Sequence, residues 1–193
     1  MIFLLDDDIF DFPSADLAEE DGLIAVGGDL IPDRLINAYS SGIFPWYSDG
    51  EPIMWWSLDP RMVMKPTEII VSKSLRRTIK SGGFSCSIDS NFDKVIEMCS
   101  SVCRKGENGT WITDEMIAAY KDLHRIGFAH SFETYFDNEL VGGLYGVSIG
   151  SIFCGESMFH IKTDASKIAF NHLCEFLTKN GFDMIDAQQD TAH

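Results

Sequence analysis

The C-terminal third of the sequence runs HSFETYF, ELVGGLYGVSIG and SIFCGESMF, then TDASKIAFNHLCEFLTKNG and FDMIDAQ. Three β-rich runs divided by the turn formers Asp137-Asn138 and Ser148-Ile149-Gly150 predict an antiparallel meander. The next run reads as a capped helix that opens at Thr163-Asp164 and ends at Gly181. One more strand then returns to the sheet. Strands followed by a helix and a returning strand require a mixed sheet, so the fold class is α+β.

Upstream the same reading gives strands at EIIVS and FSCSID. NFDKVIEMCSSVC is a helix, with Phe92, Val95, Ile96, Cys99 and Cys103 at helical period. TWITDEMIAAYKDLHRIG is another helix, with Thr113 as cap, Asp114 and Glu115 in its first turn, and Met116, Tyr120 and Leu123 on one face. A separate part precedes Met62. There Pro32 suits a first helical turn, Leu35, Ile36 and Tyr39 share a face, and Gly42 suits the C-terminal end. Phe44, Trp46, Tyr47, Trp55 and Trp56 crowd a loop-like stretch that is either a small core or a ligand platform.

The 193 residues carry a net charge of −15, which opposes nucleic acid binding over the chain as a whole. The charge is unevenly spread. Residues 1–60 hold 13 acids and one base, and residues 106–193 hold 13 acids and five bases. Residues 61–105 hold nine bases against four acids, a net of +5. That segment is either a solvated face or a strip that meets phosphate on a body that repels it elsewhere.

Five scattered cysteines fit a reducing compartment. The first residues lack the basic and small-residue marks of a signal peptide, and no apolar run approaches membrane-spanning length. The chain therefore reads as cytoplasmic. Its five histidines show no metal-ligand spacing, and packing is the expected role for Cys99 and Cys103. GGLYGVSIG lacks the lysine and the strand-to-helix context of a phosphate loop, and no G-x-S-x-G elbow occurs.

Two places combine polarity with an apolar setting. In FDMIDAQQD, period-two alternation puts Asp186 and Gln188 on one strand face, either as a structural hydrogen-bonded pair or as working groups. In CGESMF, Glu156 stands alone among Phe153, Cys154, Met158 and Phe159, either as a solvated strand-end carboxylate or as a site residue.

ELVGGLYGVSIGSIFCGESMFHIKTDASKIAF and FDMIDAQQDTAH together resemble the bacterial leucyl/phenylalanyl-tRNA–protein transferases. GLIAVGGDL, AYSSGIFPWY, WWSLDPR, SLRR and WITDEMIAAYKDLHRIGFAHSFE agree, so the likeness runs from about residue 20 to the end. The resemblance implies a small N-terminal domain (1–61) on a GNAT-like, acetyltransferase-related mixed-sheet domain (62–193). It also implies transfer of Leu or Phe, less readily Met, from aminoacyl-tRNA to an N-terminal Arg or Lys of a protein, which marks that protein for degradation as an N-degron. No cofactor, metal or acetyl-CoA is expected, and no Q/R-x-x-G-x-G/A pyrophosphate loop is seen. The enzyme is expected to act as a monomer without a membrane partner. Family chains continue past the Thr-x-His motif, whereas this sequence stops at His193, so the last strand of the sheet is expected to be missing, disordered or cut off.

The resemblance also distributes roles. Asp186 and Gln188 match the family's catalytic D-x-Q pair, in which the Gln amide oxygen accepts from the attacking amino group and the Asp orients the amide. The aminoacyl ester is already activated and about a tenth of an α-amino group is neutral at pH 7, so orientation matters more than basicity. Glu156 would help place the cationic acceptor. Met158, Phe153, Leu144 and Ile185 would hold the donor side chain, Trp46 and Trp111 would lie near the terminal adenosine, and Lys73, Arg76, Arg77 and Lys80 would contact the acceptor stem of the tRNA.

Overall fold

The computed structural model describes residues 2–6, 11–101 and 111–189. The meander forms as expected. β1 (Phe3–Leu5), β2 (Leu23–Gly27), β3 (Phe44–Pro45) and β4 (Met54–Trp56) precede it in a smaller sheet of order β1-β2-β4-β3, with α1 (Pro32–Ser40) beside it. β5 (Met62–Met64) and β6 (Phe84–Ile88) are the edges of the larger sheet. Between them lie β7 (Ala129–Phe136), β8 (Glu139–Ile149), β9 (Ile152–His160) and β10 (Met184–Gln188), in the order β5-β10-β9-β8-β7-β6. β7, β8 and β9 pair antiparallel, with Asp137 and Asn138 at φ 51° and 65° in the tight turn between the first two. α5 (Ala165–Lys179) carries the chain over the sheet, so β10 lies parallel to β9 and antiparallel to β5. The fold is mixed α+β.

Helices cover both faces of the large sheet. On one face Phe132, Leu144, Phe153 and Ile185 pack against Ala169, Leu173, Cys174 and Leu177 of α5. The approach is close: a Cβ at Gly142 of β8 would lie 2.6 Å from the Cβ of Ala165, so only glycine lets the first turn of α5 rest there. On the other face α3 (Phe92–Ser100) and α4 (Asp114–Arg125) supply Ile96, Met116, Tyr120 and Leu123 against Tyr145 and Val147. Leu35 and Tyr39 of α1, Trp55 of the small sheet and Ile43 between α1 and β3 join this second cluster, so one core spans both sheets. Each such fully buried aliphatic side chain stabilises by roughly 1.5–3 kcal/mol.

Local signals account for most boundaries. Thr113 Oγ1 accepts from Met116 N at 3.2 Å and caps α4, as its position predicts. Pro32 opens α1, and Gly42, at φ 74°, follows its end. Of the crowded aromatics, Phe44, Tyr47 and Trp55 are buried in the core. Trp46 and Trp56 are only partly covered, with ring centroids 5.7 Å apart and the Trp56 Nε1–H donating to Trp46 O at 2.6 Å. Cys99 is buried as expected, while Cys103, Arg104, Lys105 and the residues from 190 on lie outside the described residues.

Three expectations need correction. EIIVS is not a strand: Pro66–Glu68 form a single 3-10 turn and Ile70 is exposed. The next residues form α2 (Lys73–Ser81), capped by Ser72 Oγ, which accepts from Leu75 N at 3.1 Å. Of the described side chains of α2 only Leu75 is buried, with Thr78 and Ile79 half-buried, so its apolar stripe is too thin for periodicity to find. At α5, Asp164 sits at the N-cap with φ 67° and makes no side-chain cap bond; its carboxylate pairs instead with Lys167 at 3.1 Å. In β10 the expected alternation of Asp186 and Gln188 is broken by an extra residue.

At the far edge of the sheet Asp89 ties β6 to β7. Its carboxylate accepts from Ser131 N at 2.8 Å and pairs with His130 Nδ1 at 2.7 Å. Burial acts to raise the Asp89 pKa, but the hydrogen bonds from His130 and Ser131 and the nearby His130 and His124 charges outweigh it and lower the pKa. His130 is raised, first by that hydrogen bond, against burial. A depressed acid stabilises above its ordinary 3.8 and a raised histidine stabilises below its ordinary 6.5, so the pair contributes most between those values. Asp89→Asn, which tolerates the positive φ of 55°, is expected to cost up to about 1 kcal/mol at pH 5.5. The cost should shrink by pH 8.5, as thermal unfolding at the two values would report. An equal cost at both would show that the charge pair contributes nothing.

Candidate active site

Two β-bulges place the polar groups. Along β8 and β9, Tyr145 pairs with Ser157 and Gly146 with Gly155, so Glu156 is the extra residue in β9. Gly146 makes the bulge possible, since a Cβ there would come within 2.2 Å of Cys154 O. Along β5 and β10, Val63 pairs with Asp186 and Met62 with Gln188, so Ala187 is the extra residue in β10. Gln188 takes φ 63°. Simple alternation, which would align Asp186 and Gln188, is therefore broken: Ile185 and Asp186 are both buried, and Ala187 is exposed. Bulges re-aim side chains, and here the two of them bring Gln188 to Glu156, with Gln188 Nε2 donating to Glu156 Oε1 at 2.9 Å.

Asp186 is held from three directions. Arg61 Nε donates to Oδ1 at 2.9 Å and Arg61 Nη2 to Oδ2 at 2.8 Å, a two-toothed pair. Gln188 N donates to Oδ1 at 2.8 Å, and Cys154 Sγ lies 4.0 Å from Oδ2. Arg61 is itself fixed, with Nη1 donating to Gly42 O at 3.2 Å and its guanidinium 4.8 Å from the Phe44 ring centre. Asp186 thus orients Gln188 through the backbone, while the side-chain amide takes its direction from Glu156. With the amide nitrogen spent on Glu156, the amide oxygen is the end left to accept from a substrate.

Glu156 is enclosed by phenols. Tyr120 of α4 donates to Glu156 Oε2 at 3.2 Å, and Tyr39 of α1 is hydrogen-bonded to Tyr120. Burial, then the charge of Glu156, raises both tyrosines well above 10.0, so both remain donors. Burial is also the main cause that lifts Glu156 to about 7; repulsion from Asp186 adds to it, and the hydrogen bonds of Tyr39, Tyr120 and Gln188 oppose it. Among the described residues no Lys, Arg or His is paired with Glu156. The Cys154 thiol is held protonated, first by burial and then by the two carboxylates.

Sequence reasoning found Asp186, Gln188 and Glu156 but missed Arg61, Tyr39 and Tyr120 as site residues. Arg61 closes the WWSLDPR block and counted only as one base among nine, and the two tyrosines counted only as helix-face residues. An apolar-face tyrosine whose hydroxyl needs a partner is a usable signal, since a buried O–H is seldom left unpaired.

The other named residues lie apart from this cluster. Leu144, Phe153 and Ile185 are buried on the α5 side of the sheet, and Met158, which pairs with Leu144, is partly exposed. Phe153 also lines a largely apolar cavity of about 270 Å³ with Phe132, Phe176 and Phe182. Trp111 lines a separate cavity of about 600 Å³ with Tyr47, Asp49, Glu51, Asp114 and Glu115. Lys73, Arg76, Arg77 and Lys80 are all exposed on α2. Among the described residues no group of three or more His, Cys, Asp and Glu is placed to hold a metal, and no helix is long and apolar enough to cross a membrane.

Residues 63–193 match the family model described as leucyl/phenylalanyl-tRNA protein transferase, and residues 28–59 match that of its N-terminal domain. A leucyl/phenylalanyl-tRNA–protein transferase of Syntrophobacter fumaroxidans is 52% identical over 192 residues, covering 100% of this chain and 82% of the relative. That of Solidesulfovibrio magneticus is 54% identical over 190 residues, covering 98% and 76%. Among solved structures, FemX is 10% identical with a TM-score of 0.48 and covers 84% of this chain and 61% of its own. An aminoglycoside acetyltransferase from an uncultured soil sample is 16% identical with a TM-score of 0.43, covering 57% and 80%.

Proposed function

The chain belongs to the leucyl/phenylalanyl-tRNA–protein transferase family, which moves an aminoacyl group from tRNA to protein, and we propose that it carries Leu or Phe, less readily Met, to an N-terminal Arg or Lys. The product is a destabilising N-terminus for degradation, made by a cytoplasmic monomer whose small part, residues 1–61, sits on the catalytic part, residues 62–193. The observation that carries the proposal is the meeting of Gln188 with Glu156, which only two coincident bulges produce. A structural hydrogen-bonded pair on a strand face would not need either.

In this assignment Gln188 aims the acceptor α-amino group with its amide oxygen, and Asp186, neutralised by Arg61, fixes Gln188. Glu156 supplies the negative charge that draws a cationic N-terminus. The exposed cations of α2 meet the acceptor stem, where shape and backbone charge are read rather than sequence. The donor side chain is assigned to an apolar wall, where a branch point or methyl changes binding by about 1–3 kcal/mol. Leu144, Phe153 and Ile185 are filled by α5 and Met158 shares their face, so the structure does not favour these four as that wall. Trp46 and Trp111 are assigned to the terminal adenosine. The four carboxylates beside Trp111 repel phosphate, so a base, not a phosphate, would have to face it.

The test is transfer of radiolabelled leucine from leucyl-tRNA to a protein that begins with Arg, beside one that begins with Ala. Label on the Arg protein only is expected, with a fall of about 100-fold in a Gln188→Ala enzyme, the scale of a lost positioning contact. Labelling of both acceptors alike, or full activity in the variant, would overturn the assignment.

A further inference from the structure

We infer that Glu156 is the proton acceptor of the transfer: it takes a proton from the α-ammonium of the acceptor protein and hands it to the leaving ribose oxygen. The inference deepens the transferase assignment above and rests on it. Geometry makes the choice between the two carboxylates. Asp186 has both oxygens occupied by the Arg61 fork and by Gln188 N, so protonating it would break three charge-assisted contacts. Among the described residues no cation is paired with Glu156, and its hydrogen bond to Gln188 Nε2 sets it beside the amide that aims the amine. The bulge in β9 turns it out of the strand pattern toward that amide.

The groups facing Glu156 suit the role. Tyr120 from α4 donates to it, and Tyr39 from α1 backs Tyr120. Asp186 and Gln188 face it from β10, with Arg61 behind Asp186 and the Cys154 thiol two residues away on β9. Phenols that stay protonated stabilise the carboxylate without competing for the proton. Burial brings Glu156 to about 7, close to an α-amino group at about 7.7–8.0. Near-matched values allow the proton to pass in either direction at neutral pH.

The step balances. Glu156 removes one proton from R–NH₃⁺, and the neutral nitrogen attacks the ester carbonyl carbon. A C–N bond forms, the C–O bond to the ribose breaks, and the ribose oxygen leaves with the proton held by Glu156. The nitrogen's surplus proton passes to water, so one proton is released for each amide bond made.

The experiment compares wild type with Glu156→Gln in single-turnover transfer across pH 5.5–9, using two acceptor peptides. One begins with Arg. In the other an aminooxy group, neutral at these pH values, replaces the α-amino group. With the Arg peptide the variant is expected to lose about 100- to 1,000-fold in rate at pH 7, beside a rise in KM from the lost charge. Its acid limb should move from near 7 to the higher value of the free amine. With the aminooxy peptide the loss should be clearly smaller, because the nucleophile needs no base and only protonation of the leaving ribose oxygen is affected. A rise in KM with unchanged rate and pH profile would show that Glu156 only binds the acceptor, and an equal loss with both peptides would show a structural role. If the variant does not fold, wild type decides: its acid limb near 7 must be much steeper for the Arg peptide than for the aminooxy peptide. Absence of transfer by wild type to any acceptor would instead reject the transferase assignment itself.

Discussion

Arg61→Ala is expected to lower transfer by about 100-fold and to destabilise the protein by about 3 kcal/mol, although the hydrogen bonds of Arg61 go to Asp186 and Gly42 O rather than to Gln188 or Glu156. The side chains of Arg61 and Asp186 keep only 19% and 11% of their surface exposed. Breaking a largely buried pair leaves an uncompensated charge, which costs about 3–5 kcal/mol when burial is complete. The freed carboxylate would turn toward water and release Gln188 N, and a shift of about 1 Å at an aiming group costs on the order of 100-fold. Arg61→Lys should recover part of the stability but little activity, because one ammonium does not reproduce the two-toothed contact. Urea unfolding and single-turnover transfer read the two effects separately. The double variant Arg61→Ala with Asp186→Asn should be more stable than Arg61→Ala alone, since it removes the orphaned charge. If Arg61→Ala unfolds at the same urea concentration as wild type, the ion pair is not what holds Asp186.

The contrast between Arg61 and the D-x-Q pair shows what a sequence of this kind exposes. Strand and helix periods report packing, so the meander, α3, α4, α5 and β10 were legible from residues that bury every second or every third and fourth side chain. α2 was not, because among its described side chains only Leu75 is buried. Asp186, Gln188 and Glu156 were legible as misfits in apolar runs. Their meeting was not, because each bulge adds a residue that period-two counting does not contain. Arg61, Tyr39 and Tyr120 reach the site from 125, 117 and 36 residues away from the residues they serve or adjoin. Side chains brought together over such separations leave no local pattern, and the tyrosines also look like ordinary core residues until their hydroxyls are followed.

Gln188→Glu separates aiming from basicity, and transfer at pH 7 is expected to fall by about 100-fold rather than rise. A carboxylate at 188 would face Glu156 where an amide N–H now donates at 2.9 Å. Two carboxylates in contact share one proton, and the pair loses it at higher pH than either group alone. Glu156 already titrates near 7, so in the variant a carboxyl stays protonated through neutral pH and the base needed for transfer is withheld. The acid limb of the rate profile should therefore move upward, with partial recovery by pH 9. Stability carries the same sign. A carboxyl whose folded pKa lies above its ordinary 4.5 costs nothing below that value, and the cost grows as pH rises to the folded pKa. The variant should match wild type in thermal unfolding near pH 4.5 and fall behind it by pH 8.5, because its upper pKa extends that climb. A faster enzyme at pH 7 would instead mean that basicity at position 188 limits the reaction, and that the amide found there is a weak base in the base's place.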